Sequence, residues 1–113
     1  WYTGHAAERG EGAGEGANLN LPLPQGADDD IWLRAIDAAI RAIRVHGAEA
    51  LVVSLGMDAS RDEPLGFLAV SGDGFARAGA AIGGLGVPCA VVQEGGQPTL
   101  KRVRYACACG KRG

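Results

Sequence analysis

Twice in this chain a stretch with helical periodicity leads through a glycine-marked turn into a short apolar run, and that alternation constrains the fold more than any other feature. The first run, Ala50-Leu51-Val52-Val53-Ser54-Leu55, is the pattern of a strand covered on both faces in a parallel sheet. Cys89-Ala90-Val91-Val92 reads as a second buried strand. Ahead of the first run, Asp28, Asp29 and Asp30 favour a helix start, as caps and as negative charge near the positive helix end. Trp32, Ile36, Ile40 and Ile43 then share one stripe, with Arg34, Asp37, Arg41 and Arg44 off it. An amphipathic helix over 30–46 follows, with Gly47 as its left-handed terminator. A second helix is predicted from Asp73 to Leu85, with Phe75, Ala78, Ile82 and Leu85 on one face and Gly86 and Pro88 marking its end. Upstream, Asn18-Leu19-Asn20-Leu21 alternates in the manner of a short strand ending at Pro22. Strand, helix, strand, helix, strand implies an α/β sheet with right-handed crossovers.

A chain of 113 residues is one small domain, which excludes a two-domain enzyme. Its 19 glycines and 20 alanines make up about a third of it, which favours close packing but supplies little bulk to fill a core. The net charge of −2 hides an asymmetry: residues 1–100 hold all 13 acids and 6 bases, whereas residues 101–113 hold 5 bases and no acid. That tail (Lys101, Arg102, Arg104, Lys111, Arg112) is either a solvated end or a phosphate-contacting one, the solvated end being the commoner fate of such a run. No apolar run reaches the roughly 18 residues of a membrane span, and the first residues lack a basic-then-apolar export pattern. Three cysteines, Cys89, Cys107 and Cys109, form no disulfide framework and fit a reducing cytoplasm. Cys107-x-Cys109 reads as a metal-binding pair or as two free thiols; no second pair favours the metal.

In an open α/β sheet, ligands collect beyond the carboxyl ends of the strands. Two segments occupy that place, Gly56 to Gly66 after the first apolar run and Gln93-Glu94-Gly95-Gly96-Gln97 after the second. Asp58 is a candidate there, because a hard carboxylate oxygen suits a divalent metal, although position alone favours a solvated or N-capping role for it, and Asp62 and Glu63 compete for the metal role. Gly95 and Gly96 allow close backbone approach to a ligand or simply punctuate a strand end. His46 falls at a helix end, where its charge complements the dipole. Ser54, Ser60 and Ser71 have no neighbouring base and no Gly-x-Ser-x-Gly elbow, so serine hydrolysis is unsupported. The glycine-rich run at 10–16 is no dinucleotide fingerprint, since no helix follows it.

Taken together, Gly4-His5-Ala6-Ala7-Glu8-Arg9-Gly10, Gly12 to Pro24, Ala48 to Gly56, the Asp58 to Gly66 loop and Val91-Val92-Gln93-Glu94-Gly95-Gly96 resemble the C-terminal part of the zinc-dependent histone deacetylase superfamily, most closely its bacterial acetylpolyamine amidohydrolase branch. The resemblance covers residues 1–96 and leaves 97–113 as a divergent basic tail. It implies a partial parallel-sheet fold of the arginase/deacetylase kind, with helices flanking the sheet. It also implies Zn²⁺ as cofactor and hydrolysis of an acetyl-amide, the substrate being a small acetylated amine or acetyl-lysine. On this resemblance Asp58 is a zinc ligand, Pro64 and Leu65 line the acyl channel, and Gly95 and Gly96 form part of the pocket wall. Gln97 stands where the family carries a tyrosine that donates to the developing oxyanion; an amide can donate too, with different reach and acidity. The family's Asp-x-His ligand pair and tandem histidines have no counterpart in this sequence, so the expectation is a fragment that is inactive alone. A change of reading frame or a truncation near Gly96 would account for the tail. The alternatives are a non-catalytic remnant that self-associates through sheet edges, or a nucleic-acid contact made by the tail.

Overall fold

The computed structural model of the protein describes residues 4–96. The basic tail, Gln97 and Cys107-Ala108-Cys109 lie outside the described residues. Helix α1 (Asp29–His46), strand β1 (Leu51–Gly56), helix α2 (Gly72–Gly83) and strand β2 (Cys89–Glu94) follow one another, with short 3-10 turns at Gly12–Gly14 and Met57–Ala59.

Local chemistry sets each boundary. Asp28 caps α1 by accepting the Ile31 N–H at 3.1 Å. Asp29 and Asp30 occupy the first turn and Arg44 and His46 the last, each sign matched to the helix dipole. Gly47 ends the helix at φ 74° with its N–H on Arg44 O. Ser71 opens α2 by accepting the Gly74 N–H at 3.0 Å. The helix stops at Gly83, short of the expected Leu85, because Gly84 and the left-handed Gly86 (φ 72°) take over the last turn.

β1 and β2 pair in parallel, from Leu51 opposite Cys89 to Gly56 opposite Glu94, and α2 is the crossover between them. α1 packs on α2, with Trp32 and Phe75 edge to face at 5.1 Å between ring centroids. Ala27, Ile40, Val70, Phe75 and Ala78 are the buried apolar residues, and Val70 is 0% exposed.

Two sequence expectations are corrected. Both strands were expected to be covered on both faces, but the described helices border one face only: Val53 and Leu55 face the helices, while Val52 is 69% exposed and Val92 50%. The strand expected at Asn18–Pro22 does not form. There the asparagine amides bind elsewhere, Asn18 donating to Glu8 O at 2.6 Å and Asn20 to His5 O at 2.9 Å and Glu8 Oε2 at 3.0 Å. The segment is thereby tied to the 4–8 turn, whose Gly4 and His5 N–H groups also donate to Glu8 Oε2.

Candidate functional site

The in-register ladder ends both strands at one level, so the residues after Gly56 and after Glu94 emerge side by side. After β1 the chain closes the Met57–Ala59 turn, with Ser60 N–H on Met57 O at 3.1 Å. After β2 it turns through Gly95 (φ 63°) and Gly96 (φ 89°). Both glycines are required where they stand. A methyl group at Gly96 would lie 2.5 Å from Met57 Cβ, and one at Gly95 would lie 3.3 Å from Asp58 Oδ2. On its other flank the same carboxylate crowds Gly56, where a methyl would be 2.6 Å from Asp58 Oδ1. Asp58 is therefore held over two glycines at the carboxyl rim of the sheet, exposed on its outer side and accepting no hydrogen bond among the described residues. It does not cap a helix of any length; its turn is three residues long.

The other candidates separate from this point. Asp62 and Glu63 lie in the following turn, where Asp62 N–H donates to Ser60 Oγ at 3.2 Å and Glu63 O accepts from Gly66 N–H at 2.9 Å. Pro64 and Leu65 are exposed at the tip of that turn, Leu65 to 89%. His46 is exposed in the last turn of α1. Cys89 borders a cleft of about 450 Å³ between the helices and the sheet, lined chiefly by Trp32, Ile36, Val53, Leu55, Phe75 and Ile82 and reaching Asp58 at its rim. That cleft is walled mainly by apolar side chains, with Ser54 and Cys89 as its other polar members.

One polar cluster escaped the sequence reading. Asp29 accepts the Ser71 N–H at 2.7 Å and the Ser71 hydroxyl at 2.5 Å, linking the start of α1 to the start of α2. These bonds, with the charges of Arg61 and Arg77, hold the Asp29 carboxyl below the usual aspartate range against the opposing effect of burial. Ser71 stands two residues before the expected start at Asp73, and its bond to Asp29 spans 42 residues.

Asp58 has the chemistry of one ligand to a hard or borderline divalent ion: two carboxylate oxygens, open on one side, at a rim where backbone can approach. Among the described residues no three His, Cys, Asp or Glu side chains cluster to hold a metal. Asp58 by itself could supply one carboxylate ligand to such an ion.

A histone deacetylase domain model matches residues 2–109. An acetylpolyamine amidohydrolase of Burkholderia pseudomallei is 46% identical over 94 residues, 83% of this chain and 28% of that protein. Acetylpolyamine amidohydrolase 2 of Pseudomonas aeruginosa is 42% identical over 96 residues, 85% of this chain and 28% of that one. The crystal structure of an acetylpolyamine aminohydrolase from Burkholderia pseudomallei superposes with a TM-score of 0.81 at 45% identity, over 84% of this chain and 28% of its own. The chain thus spans about a quarter to a third of the length of these relatives.

Proposed function

The chain belongs to the histone deacetylase family, and from that premise we propose that it is part of a zinc-dependent amidohydrolase removing acetyl groups from N-acetylated amines of the acetylpolyamine or acetyl-lysine type. The observation that supports this most directly is the Asp58 carboxylate standing over Gly95 where the parallel strands end. Zinc, when bound, supplies Lewis acidity toward an acetyl carbonyl and toward water. Asp58 would hold the ion through its carboxylate. Gly95 and Gly96 keep side chains away from that oxygen pair and leave room for a substrate, and Pro64 and Leu65 would line the acyl channel. A single carboxylate is not the three-ligand set of a catalytic zinc site, so the 113-residue chain alone is expected to be inactive. The reading includes a reducing, cytoplasmic setting, in keeping with three cysteines whose spacing forms no disulfide framework.

The test exchanges the matching segment of the Burkholderia pseudomallei relative for this chain. Metal content and hydrolysis of acetylated amines are then measured with and without Asp58→Ala. The expected result is an active, metal-loaded hybrid whose metal content and turnover are lost with Asp58→Ala. A hybrid that keeps its metal and turnover after that substitution would overturn the proposal.

The exposed Val52 and Val92 favour a second reading for the isolated chain, in which it associates with itself through the uncovered sheet. A single monomeric species in sedimentation at high concentration would exclude this.

A further inference from the structure

We propose that Asp29 is a positioning residue for the Asp58 turn, acting through Ser71 and the backbone of Val70. The connection is continuous. Both Asp29 oxygens accept from Ser71, one from its N–H and one from its hydroxyl. The preceding residue, Val70, is fully buried and pairs on its far side with the segment that leaves the Asp58 turn. Val70 N–H donates to Ala59 O at 3.0 Å, and Arg61 N–H donates to Val70 O at 2.9 Å. Ala59 is the last residue of the turn that carries Asp58. A second thread runs through charge, since Arg61 attracts the Asp29 carboxylate from the same short ladder.

The arrangement is rigid at each link. Ala69 N–H donates to Ala27 O at 2.9 Å and Gly26 N–H to Phe67 O at 2.7 Å, so the 67–70 segment is held between the approach to α1 and the exit of the Asp58 turn. Ser71 uses the same hydroxyl oxygen to accept the Gly74 N–H, so one side chain both binds Asp29 and caps α2. Gly74 packs directly on the Asp29 carboxylate, leaving it little room to reorient. Loosening Asp29 would remove the anchor next to Val70 and so weaken the backbone ladder that braces the Asp58 turn from behind. The consequence for metal binding rests on the reading of Asp58 given above; the mechanical link does not.

The experiment keeps these two apart. Amide exchange is measured by NMR on the 113-residue chain and on its Asp29→Asn, Ser71→Ala and Ser71→Thr variants. In Asp29→Asn and Ser71→Ala, exchange is expected to accelerate at least about tenfold at Val70 and Arg61, with shifted Asp58 and Ser60 resonances, because hydrogen bonds to a charged group are lost. Mid-helix amides such as Ile40 and Ala78 keep their protection, and Ser71→Thr restores the parent pattern. Changes confined to Ser71 and Gly74, or an equal loss of protection along the whole chain in both variants, would overturn the proposal. Should Asp29→Asn unfold the chain, Ser71→Ala carries the comparison.

In the hybrid with the Burkholderia pseudomallei relative, Co²⁺ affinity read from its visible absorption is expected to weaken about 10–100-fold in Asp29→Asn, the range found when a partner behind a metal ligand is removed. Weaker binding in Asp58→Ala with none in Asp29→Asn would overturn the positioning role. Unchanged Co²⁺ affinity in Asp58→Ala would instead remove the metal reading of Asp58 and leave the exchange result to stand alone.

Discussion

Gly95 and the Asp58 carboxylate compete for one space: a methyl group on Gly95 would lie 3.3 Å from Oδ2 and 3.4 Å from Cγ. The glycine sits at φ 63°, where any L side chain also strains the backbone. Gly95→Ala is therefore expected to destabilise the chain by about 1–2 kcal/mol through the backbone alone. Gly96→Ala is expected to cost more, since its methyl would fall 2.5 Å from Met57 Cβ. Urea midpoints for the two variants should show that order, with the Asp58 amide resonance moving in both.

Asp29 confers a definite acid sensitivity. Its folded-state pKa is lowered, first by the Ser71 hydroxyl, then by the Ser71 N–H, with Arg61 and Arg77 adding to the shift and burial opposing it. The folded state therefore binds that proton less readily than the unfolded chain does, and the group contributes its full stability above the unfolded value of 3.8. The contribution is lost as pH falls below that value and through the lowered folded pKa. Urea midpoints of Asp29→Asn measured from pH 6 to pH 2 should fall less steeply than those of the parent; parallel curves would contradict this.

Glycine-to-alanine changes inside α2 should have opposite signs at neighbouring sites. A methyl on Gly72 meets nothing within 4 Å, so Gly72→Ala is expected to be neutral or to stabilise by up to about 1 kcal/mol through helix propensity. A methyl on Gly74 would fall onto the Asp29 carboxylate, so Gly74→Ala should destabilise despite the same propensity gain. Thermal midpoints of the two variants check the reversal.

Phe75 is 4% exposed and meets Trp32 edge to face. Phe75→Ala removes that ring from a core of few large side chains and is expected to cost about 3–5 kcal/mol. A chain with so small a core should be largely unfolded by this change, with loss of the cooperative melt and a red shift in tryptophan emission. Phe75→Leu, which keeps most of the volume, should retain the fold.

The regular elements were legible because their signals are local. The Trp32–Ile43 stripe, Asp28 and Gly47 mark α1 to within a residue, and the apolar runs mark β1 and β2. The false strand at Asn18–Pro22 shows where locality fails, since an alternating pattern cannot reveal that Asn18 and Asn20 will bond to Glu8 and His5. The burial of the two strands was overestimated for a similar reason: an apolar run reports a capacity to be covered, not whether cover is present. Asp58 could be placed at a strand end from sequence, but choosing it over Asp62 and Glu63 rested on family resemblance, and its contact with Gly95 is a product of strand register. The Asp29–Ser71 link spans 42 residues and left no periodic trace.

Because Gly56 and Glu94 finish opposite each other, the two-stranded ladder has a flat upper rim. A further strand laid parallel on either side would deliver its own exit loop to the same height without disturbing the turn at Met57–Ala59 or the bend at Gly95. A reaction centre on such a rim can be assembled by accretion, each added strand contributing functional groups to a common platform while those already seated stay where they are.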